Sequence, residues 1–226
     1  MKCKWLHRNN SQQLLLFFNG WSCDEHPFKF LKSEEHDVLM LNDYRDLRLP
    51  EEALKAINGY EKVAVVAWSF GVWVAQVSLF PLKEKLCTAL AINGTTRPVD
   101  KNFGIPAPIA MGTLSGLNEK NLAKFQRRMF SDKYAWQQFA DNKPQREFEE
   151  VKNELFLLLQ HFKVEKLNGE FYKQAIVGSN DMIFPTTNQL RFWEQDAKVH
   201  ELESGHFCFY SFNSWDEIIN LAKSQC

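Results

Sequence analysis

One short segment, Ala-Trp-Ser-Phe-Gly at residues 67–71, limits the folds open to this chain more than any other feature. It begins at the last residue of an apolar run at 62–67, typical of a buried strand, and leads into a segment that predicts a helix. A serine on such a sharp turn needs small residues two positions away on either side, because helix and strand approach closely there. Gly71 meets this requirement, and Ala67 has the next smallest side chain. The segment predicts a nucleophile at Ser69, with an ordinary helix N-cap serine as the alternative.

The rest of the chain alternates apolar runs with amphipathic segments, which indicates an α/β fold with a mostly parallel sheet and helices on both faces. Between residues 104 and 162 only helical periodicity is present, broken at Pro106, Pro108 and Pro144. We expect this block to be a small helical cap over the carboxyl edge of the sheet, inserted within a single domain of residues 1–226. Strands are predicted at 14–18, 37–41, 62–67, 86–93, 172–177 and 197–202, and helices at 50–58, 70–80 and 215–222.

Composition excludes several classes of function. The 226 residues include 27 basic and 28 acidic ones, a balance that argues against a nucleic-acid-binding protein. No apolar run approaches the roughly 18 to 20 residues that cross a bilayer, and no signal peptide is visible, so we expect a cytoplasmic protein that does not bind membranes. The cysteines form no Cys-x-x-Cys pair, and the chain has no His-Glu-x-x-His and no glycine-rich phosphate loop. We therefore expect neither a metal nor a cofactor.

A serine nucleophile needs a base, and the base needs an acid that orients it. In a serine turn of this kind the partners follow in the chain order serine, acid, histidine. Asp181 lies in the loop after the fifth predicted strand, and His206 lies in the loop after the sixth. We predict that these two residues complete a triad with Ser69, although each alone could be an ordinary loop residue. His200, within the preceding strand, is the alternative base.

Acyl transfer also needs hydrogen-bond donors for the developing oxyanion. One donor is the backbone N–H of the residue after the nucleophile, here Phe70. The second comes from the loop after an early strand, and the sequence Asn-Gly-Trp at 19–21 follows the first predicted strand. We assign this donor to the Trp21 backbone N–H, with a plain glycine turn as the alternative.

Taken together, these features resemble those of the α/β-hydrolases over nearly the whole chain, with the helical block in the place of that family's cap. Three segments are more specifically similar to the BioG-type esterases of biotin synthesis: Phe-Phe-Asn-Gly-Trp at 17–21, Asn-Asp-Tyr-Arg-Asp at 42–46 and Ala-Trp-Ser-Phe-Gly-Val at 67–72. The resemblance implies hydrolysis of the methyl ester of pimeloyl-acyl carrier protein. It also implies the triad and the oxyanion hole in the positions named above. The Asp-Tyr-Arg stretch at 43–45 has no derivable catalytic role, and we expect it to serve turn and packing, with Arg45 in an ion pair.

The resemblance leaves the reaction partly open. Another ester hydrolase on the same scaffold, such as a thioesterase or a short-chain carboxylesterase, would carry the same triad. A scaffold that binds an acyl carrier or a ligand without turnover is an alternative of a different class. Asn19 stands where many α/β-hydrolases have His, and Ala67 where they have Gly, but neither departure removes a catalytic group.

One predicted helix of the cap carries a basic stripe. Helical spacing places Leu122, Phe125 and Met129 on the face opposite the stripe, so the helix can pack while its basic face points outward. Acyl carrier proteins are strongly acidic, and a basic patch would steer and orient them. We predict that a carrier protein docks here, with a solvated basic face as the alternative. The stripe consists of Lys120, Lys124, Arg127 and Arg128.

Overall fold

The structure, a computed structural model, describes residues 1–162, 171–194 and 196–223. Its strands are β1 Lys2–His7, β2 Gln13–Phe18, β3 His36–Asn42, β4 Lys62–Trp68, β5 Leu86–Ile92, β6 Gln174–Gly178 and β7 Lys198–Leu202. They form one sheet in the order β1-β3-β2-β4-β5-β6-β7. Only the edge strand β1, for which the sequence predicted no range, pairs antiparallel, and all other pairings within the described residues are parallel.

Helices lie between these strands, so the α/β class and the mostly parallel sheet are confirmed. Where the sequence gave ranges for helices, each end in the structure lies within one residue of the predicted end. None of the helices in the described part of the chain has the length and apolar character needed to cross a membrane. The helices are α1 Glu51–Gly59, α2 Phe70–Leu79, α3 Ala107–Ser115, α4 Glu119–Arg128, α5 Lys133–Asp141, α6 Phe148–His161, α7 Thr186–Trp193 and α8 Trp215–Lys223.

The central strands β2 and β4 end side by side. Every residue of β2 from Leu14 to Phe18 is buried, between β3 on one side and β4 on the other. A strand covered on both faces carries a continuous apolar run, because neither face is left for polar side chains. In the parallel register Phe18 lies opposite Ala67. The loop after β2 and the turn after β4 therefore leave the same edge of the sheet next to each other.

Helices α3 to α6 follow one another between β5 and β6, within the block predicted to be helical. Pro106 directly precedes α3, and Pro144 lies between α5 and α6, as expected of residues that interrupt helices. The prediction that Pro108 breaks a helix is wrong. It lies in the first turn of α3, where its missing N–H would have no partner within the helix in any case.

An aromatic cluster joins the sheet to α8. The ring of Phe28 lies 4.9 Å from that of Phe17 on β2 and 6.1 Å from that of Trp68 on β4, both edge to face. Trp215, the first residue of α8, lies 4.7 Å from Phe17. Such ring pairs stabilise a core beyond the area they bury. This packing fixes the positions of β2 and β4, the strands that end at the candidate site.

Candidate active site

Ser69 lies on the turn between β4 and α2, with φ 59° and ψ −128°. A positive φ is strained for a residue with a side chain, and it is the conformation that a nucleophile on a strand-to-helix turn adopts. Gly71 is required by close packing, because a Cβ atom there would lie 2.5 Å from the carbonyl oxygens of Phe18 and Asn19. A Cβ on Gly94 would likewise lie 2.4 Å from the Ser69 carbonyl oxygen. The turn is therefore held tightly between the ends of β2 and β5.

The structure brings Ser69, His206 and Asp181 together in one chain of hydrogen bonds. Ser69 Oγ lies 2.9 Å from His206 Nε2, and His206 Nδ1 lies 2.8 Å from Asp181 Oδ2. All three residues are buried. A carboxylate beside Nδ1 favours the tautomer with the proton on Nδ1, which leaves Nε2 as the acceptor for the serine hydroxyl. The geometry suits general-base activation of Ser69.

Asp181 is oriented by three further donors. Its Oδ1 accepts the backbone N–H groups of Ile183 at 2.8 Å and Phe184 at 2.9 Å. Its Oδ2 accepts, besides the imidazole, the side-chain amide of Gln189 at 3.0 Å. Gln189 lies on α7 and is fully buried. Sequence reasoning missed it, because a glutamine on an amphipathic helix gives no sign that it faces inward.

The backbone of His206 is also held. Its carbonyl oxygen accepts hydrogen bonds from Trp68 Nε1 at 2.9 Å and from Asn93 Nδ2 at 2.8 Å. Asn93 Oδ1 accepts the Gly178 N–H at 2.7 Å, so this one side chain ties the histidine loop to the end of β6. Asn93 has φ 45°, which asparagine tolerates better than most residues. Its place at the end of the predicted fourth strand was the signal that could have found it.

The two predicted oxyanion donors are backbone N–H groups in the loop after β2 and at the start of α2. Within the described residues, neither the Trp21 N–H nor the Phe70 N–H donates a hydrogen bond. Trp21 itself is buried, with its ring 4.9 Å from that of Phe125 on α4. Two unpaired N–H groups on neighbouring turns match the requirement of an oxyanion site.

A mostly apolar cavity opens onto Ser69 and His206. Residues from the block between β5 and β6 line it, including Ile105, Ile109, Phe125, Met129 and Leu155. Among the residues that the structure describes, Arg128 is the charged residue that lines the cavity. An apolar lining of this kind suits the aliphatic part of a ligand.

The basic stripe lies on the exposed face of α4, with Leu122 and Phe125 half-buried and Met129 buried. Two of its members have further contacts. Arg127 donates to the carbonyl oxygen of Phe130 at 2.9 Å and lies over the ring of Trp136. Arg128 lines the cavity, and an adjoining groove between α3 and α4 is lined by Lys124, Arg127 and Arg128. The stripe is therefore continuous with the mouth of the cavity.

The alternative base lies elsewhere. His200 Nε2 lies 2.9 Å from Gln174 Oε1 on β6, and burial lowers the pKa of His200. In the part of the chain that the structure describes, two clusters of possible metal ligands also lie outside the site, at 24–26 and around His36 and Asp216. In both, protein groups already hydrogen-bond the carboxylate: Asp24 accepts from His26 and Gln145, and Asp216 from Ser33. The carboxylate oxygens of Asp24 and Asp216 therefore hold neighbouring loop segments together through hydrogen bonds.

The sheet order, the strained serine turn after β4 and the helices between β5 and β6 together define an α/β-hydrolase. This class of fold was predicted from the sequence, and solved structures confirm it. A lipase-esterase related protein from Clostridium acetobutylicum (ATCC 824) has a TM-score of 0.60 at 16% identity, covering 97% of this chain and 98% of that one.

Closer relatives define the family. Residues 1–218 match the family described as pimeloyl-ACP methyl esterase BioG. The crystal structure of BioG from Haemophilus influenzae has a TM-score of 0.88 and 35% sequence identity, covering 96% of this chain and 99% of that one. The chain belongs to the BioG family, as its sequence segments indicated.

A further relative is longer. A Bacteroides fragilis (strain 638R) protein named malonyl-[acyl-carrier protein] O-methyltransferase is 38% identical over 197 residues. These residues make up 87% of this chain and 40% of that protein. The chain therefore spans less than half the length of this relative.

Proposed function

We propose that the protein is a serine esterase that hydrolyses the methyl ester of pimeloyl-acyl carrier protein. The observation that carries the proposal is the buried chain of hydrogen bonds from Ser69 through His206 to Asp181, at the floor of an apolar cavity. Membership of the BioG family supports the choice of ester.

In the proposed mechanism, His206 Nε2 takes the proton of Ser69 Oγ as that oxygen attacks the ester carbonyl carbon. The backbone N–H groups of Trp21 and Phe70 stabilise the resulting oxyanion, and Asp181 stabilises the imidazolium. The tetrahedral intermediate collapses, His206 gives its proton to the departing oxygen, and methanol leaves. A water molecule activated by His206 then attacks the acyl-serine, which releases the carboxylate and restores Ser69.

We infer that residues 104–162 act as a cap within a single domain. Side chains of α3, α4 and α6 line the cavity above Ser69, and they would hold the methylene chain of the acyl group away from water. The ester end would then meet the serine, while the thioester end points toward the mouth of the cavity.

The basic stripe would receive the carrier. Lys120, Lys124, Arg127 and Arg128 are exposed, and three of them line the groove that adjoins the cavity. Positive charge beside the mouth complements an acidic carrier and would raise the rate of productive encounters. The methyltransferase relative, whose name includes an acyl carrier protein, supports this choice of partner.

One substrate tests the proposal against its alternatives. Pimeloyl-carrier methyl ester is incubated with the protein, and the carrier is weighed by mass spectrometry. Loss of the methyl group alone, with release of methanol, is the expected result. Loss of the whole acyl group would indicate a thioesterase, and binding without any loss would indicate a scaffold. Ser69→Ala should abolish both the reaction and labelling by a fluorophosphonate, whereas Ser115→Ala, at an exposed position outside the cavity, should change neither.

A further inference from the structure

The loop that carries the Trp21 N–H is held by hydrogen bonds on several sides. The Asn19 N–H donates to Leu41 O at 2.9 Å, and the Gly20 N–H donates to the Asn19 side-chain oxygen at 2.8 Å. The Asn19 side-chain amide donates to Asp24 O at 3.2 Å. The backbone N–H groups of Asn19 and Gly20 are thus both engaged in hydrogen bonds. The Trp21 N–H, by contrast, has no partner among the described residues.

The carbonyl oxygen of Asn19 is held by Tyr44. The Tyr44 hydroxyl lies 2.7 Å from Asn19 O and 3.0 Å from Leu41 O, and the residue is fully buried. Burial raises the pKa of Tyr44 well above its ordinary value, so the hydroxyl keeps its proton and remains a donor. The same carbonyl oxygen is one of the two that a Cβ atom on Gly71 would approach to 2.5 Å. Tyr44 therefore holds the part of the loop that packs closely against the turn that carries Ser69.

Tyr44 is in turn held by a buried carboxylate of α6. The Tyr44 N–H donates to Glu154 Oε1 at 2.7 Å, and the other oxygen of Glu154 accepts from Arg146. One turn earlier on α6, the carbonyl oxygen of Val151 accepts the indole N–H of Trp21 at 2.8 Å. The same helix thus holds the loop directly through the Trp21 ring and indirectly through Tyr44.

Glu154 is costly to bury. Burial raises its pKa, and the Arg146 guanidinium opposes that effect without removing it. Buried ion pairs of this kind commonly contribute little to stability, because the loss of hydration offsets the attraction between the charges. Glu154 does not line the cavity and does not contact the triad. The hydrogen bonds that Glu154 accepts from the Tyr44 N–H and from Arg146 therefore account for its buried position.

We propose that Tyr44 is a positioning residue for the oxyanion hole, and that Glu154 holds Tyr44 there, so that the cap helix α6 sets the position of the Trp21 N–H. This inference rests on the proposed serine mechanism, and it gives the Asp-Tyr-Arg stretch a role beyond turn and packing. An oxyanion donor acts in the transition state and not in substrate binding. Misplacing it should therefore lower kcat and leave KM unchanged.

The test uses Tyr44→Phe, which removes only the hydroxyl. We expect kcat for p-nitrophenyl butyrate, per active site titrated with a fluorophosphonate, to fall about 10- to 100-fold with KM unchanged. The affinity for a trifluoromethyl ketone, whose adduct carries an oxyanion, should fall in parallel, and the Trp21 amide proton should exchange faster with deuterium. Glu154→Gln, which keeps an oxygen for the Tyr44 N–H, should lose less kcat than Glu154→Met.

Tyr60→Phe is the matched control, because the Tyr60 hydroxyl donates to Asp37 at 2.6 Å, away from the loop. It should lower the melting temperature without changing kcat or ketone affinity. If Tyr44→Phe behaves like Tyr60→Phe, Tyr44 serves stability alone and the inference is overturned. Ketone affinity and amide exchange need no turnover. They therefore decide the inference even if the wild-type protein cleaves no pimeloyl ester, an outcome that would overturn only the proposed substrate.

Discussion

Gly20 lies so close to the indole ring of Trp68 that a Cβ atom on Gly20 would come within 2.7 Å of two ring carbons. The ring has no room to retreat, because it is buried and its Nε1 donates to the His206 carbonyl oxygen. The contact therefore links the loop of the candidate oxyanion hole to the loop of the candidate base.

We expect Gly20→Ala to damage both loops at once. Overpacking of a well-packed core should lower the free energy of unfolding by about 1–3 kcal/mol. The kcat for p-nitrophenyl butyrate should fall at least about tenfold. Steady-state kinetics and chemical denaturation measure the two effects. Gly59→Ala is the control, since a Cβ there would meet nothing within 4 Å, and it should change neither kcat nor KM. Wild-type kinetics in Gly20→Ala would show that the ring can move without cost.

Replacing either end of the hydrogen-bonded pair should remove catalysis without unfolding the protein. Ser69→Ala and His206→Ala are each expected to lower ester hydrolysis by about 10⁴-fold or more, with circular dichroism unchanged. His200→Ala is the comparison, because His200 contacts Gln174 and not Ser69. Our assignment of the base is wrong if His200→Ala loses turnover while His206→Ala retains it.

Asp181→Asn tests the role of the acid. An amide in that position would favour the wrong tautomer of His206, and we expect turnover to fall by about 10⁴-fold, as the same change does in serine proteases. Asp196→Asn, at an exposed position, should have no effect on turnover. A crystal structure of Asp181→Asn with His206 in its original place would show that the loss is chemical. Retained turnover would contradict the assignment.

Acid should weaken the fold partly through Asp43. Burial raises the pKa of Asp43, but hydrogen bonds from Arg45 and Lys2 outweigh it and lower this pKa to about 2 from an ordinary value of 3.8. A depressed folded pKa stabilises the protein above the ordinary value, and that stability is lost as pH falls from about 4 toward 2. The contribution is about 2 kcal/mol. The free energy of unfolding of Asp43→Asn should therefore fall less steeply over this range, as urea titrations can measure. An equally steep fall would show that Asp43 does not contribute.

Charge reversal tests the carrier surface. Lys120→Glu with Lys124→Glu leaves the cavity lining untouched, whereas Arg128 lines it and Arg127 holds a backbone carbonyl. The double variant should raise KM for pimeloyl-carrier methyl ester several-fold and leave p-nitrophenyl butyrate unaffected. Salt at 0.1 M screens charges over about 10 Å, so the difference from wild type should shrink as salt rises.

Lys62→Glu with Lys83→Glu is the control for that experiment, because both side chains are exposed and Lys62 begins β4, at the opposite end of the strand from Ser69. It should change KM for neither substrate. If the two double variants raise KM for the carrier substrate equally, the effect comes from net charge in general, and the proposed carrier surface is contradicted.

Much of the fold and of the candidate site could be predicted from the sequence, because both depend on local pattern and chain order. The parallel sheet follows from apolar runs of strand length, and the serine turn follows from small residues on either side of Ser69. Asp181 and His206 each lie in the loop that follows a strand, and parallel strands bring their carboxyl ends to one edge of the sheet.

The supporting groups could not be predicted in the same way. Gln189 and Glu154 occupy helices in which a polar residue gives no sign of facing inward, and both are fully buried only because α7 and α6 pack against loops. The place of Pro108 within α3 likewise depended on where the helix begins.

The sequence by itself thus determined the class of fold, the order of the reacting groups and the resemblance to the BioG family. Only the tertiary structure decided which polar side chains hold those groups. The Tyr44 N–H meets Glu154 across 110 residues of chain, and Asn93 meets His206 across 113. Contacts at such separations depend on the packing of whole helices and loops, which no local periodicity encodes.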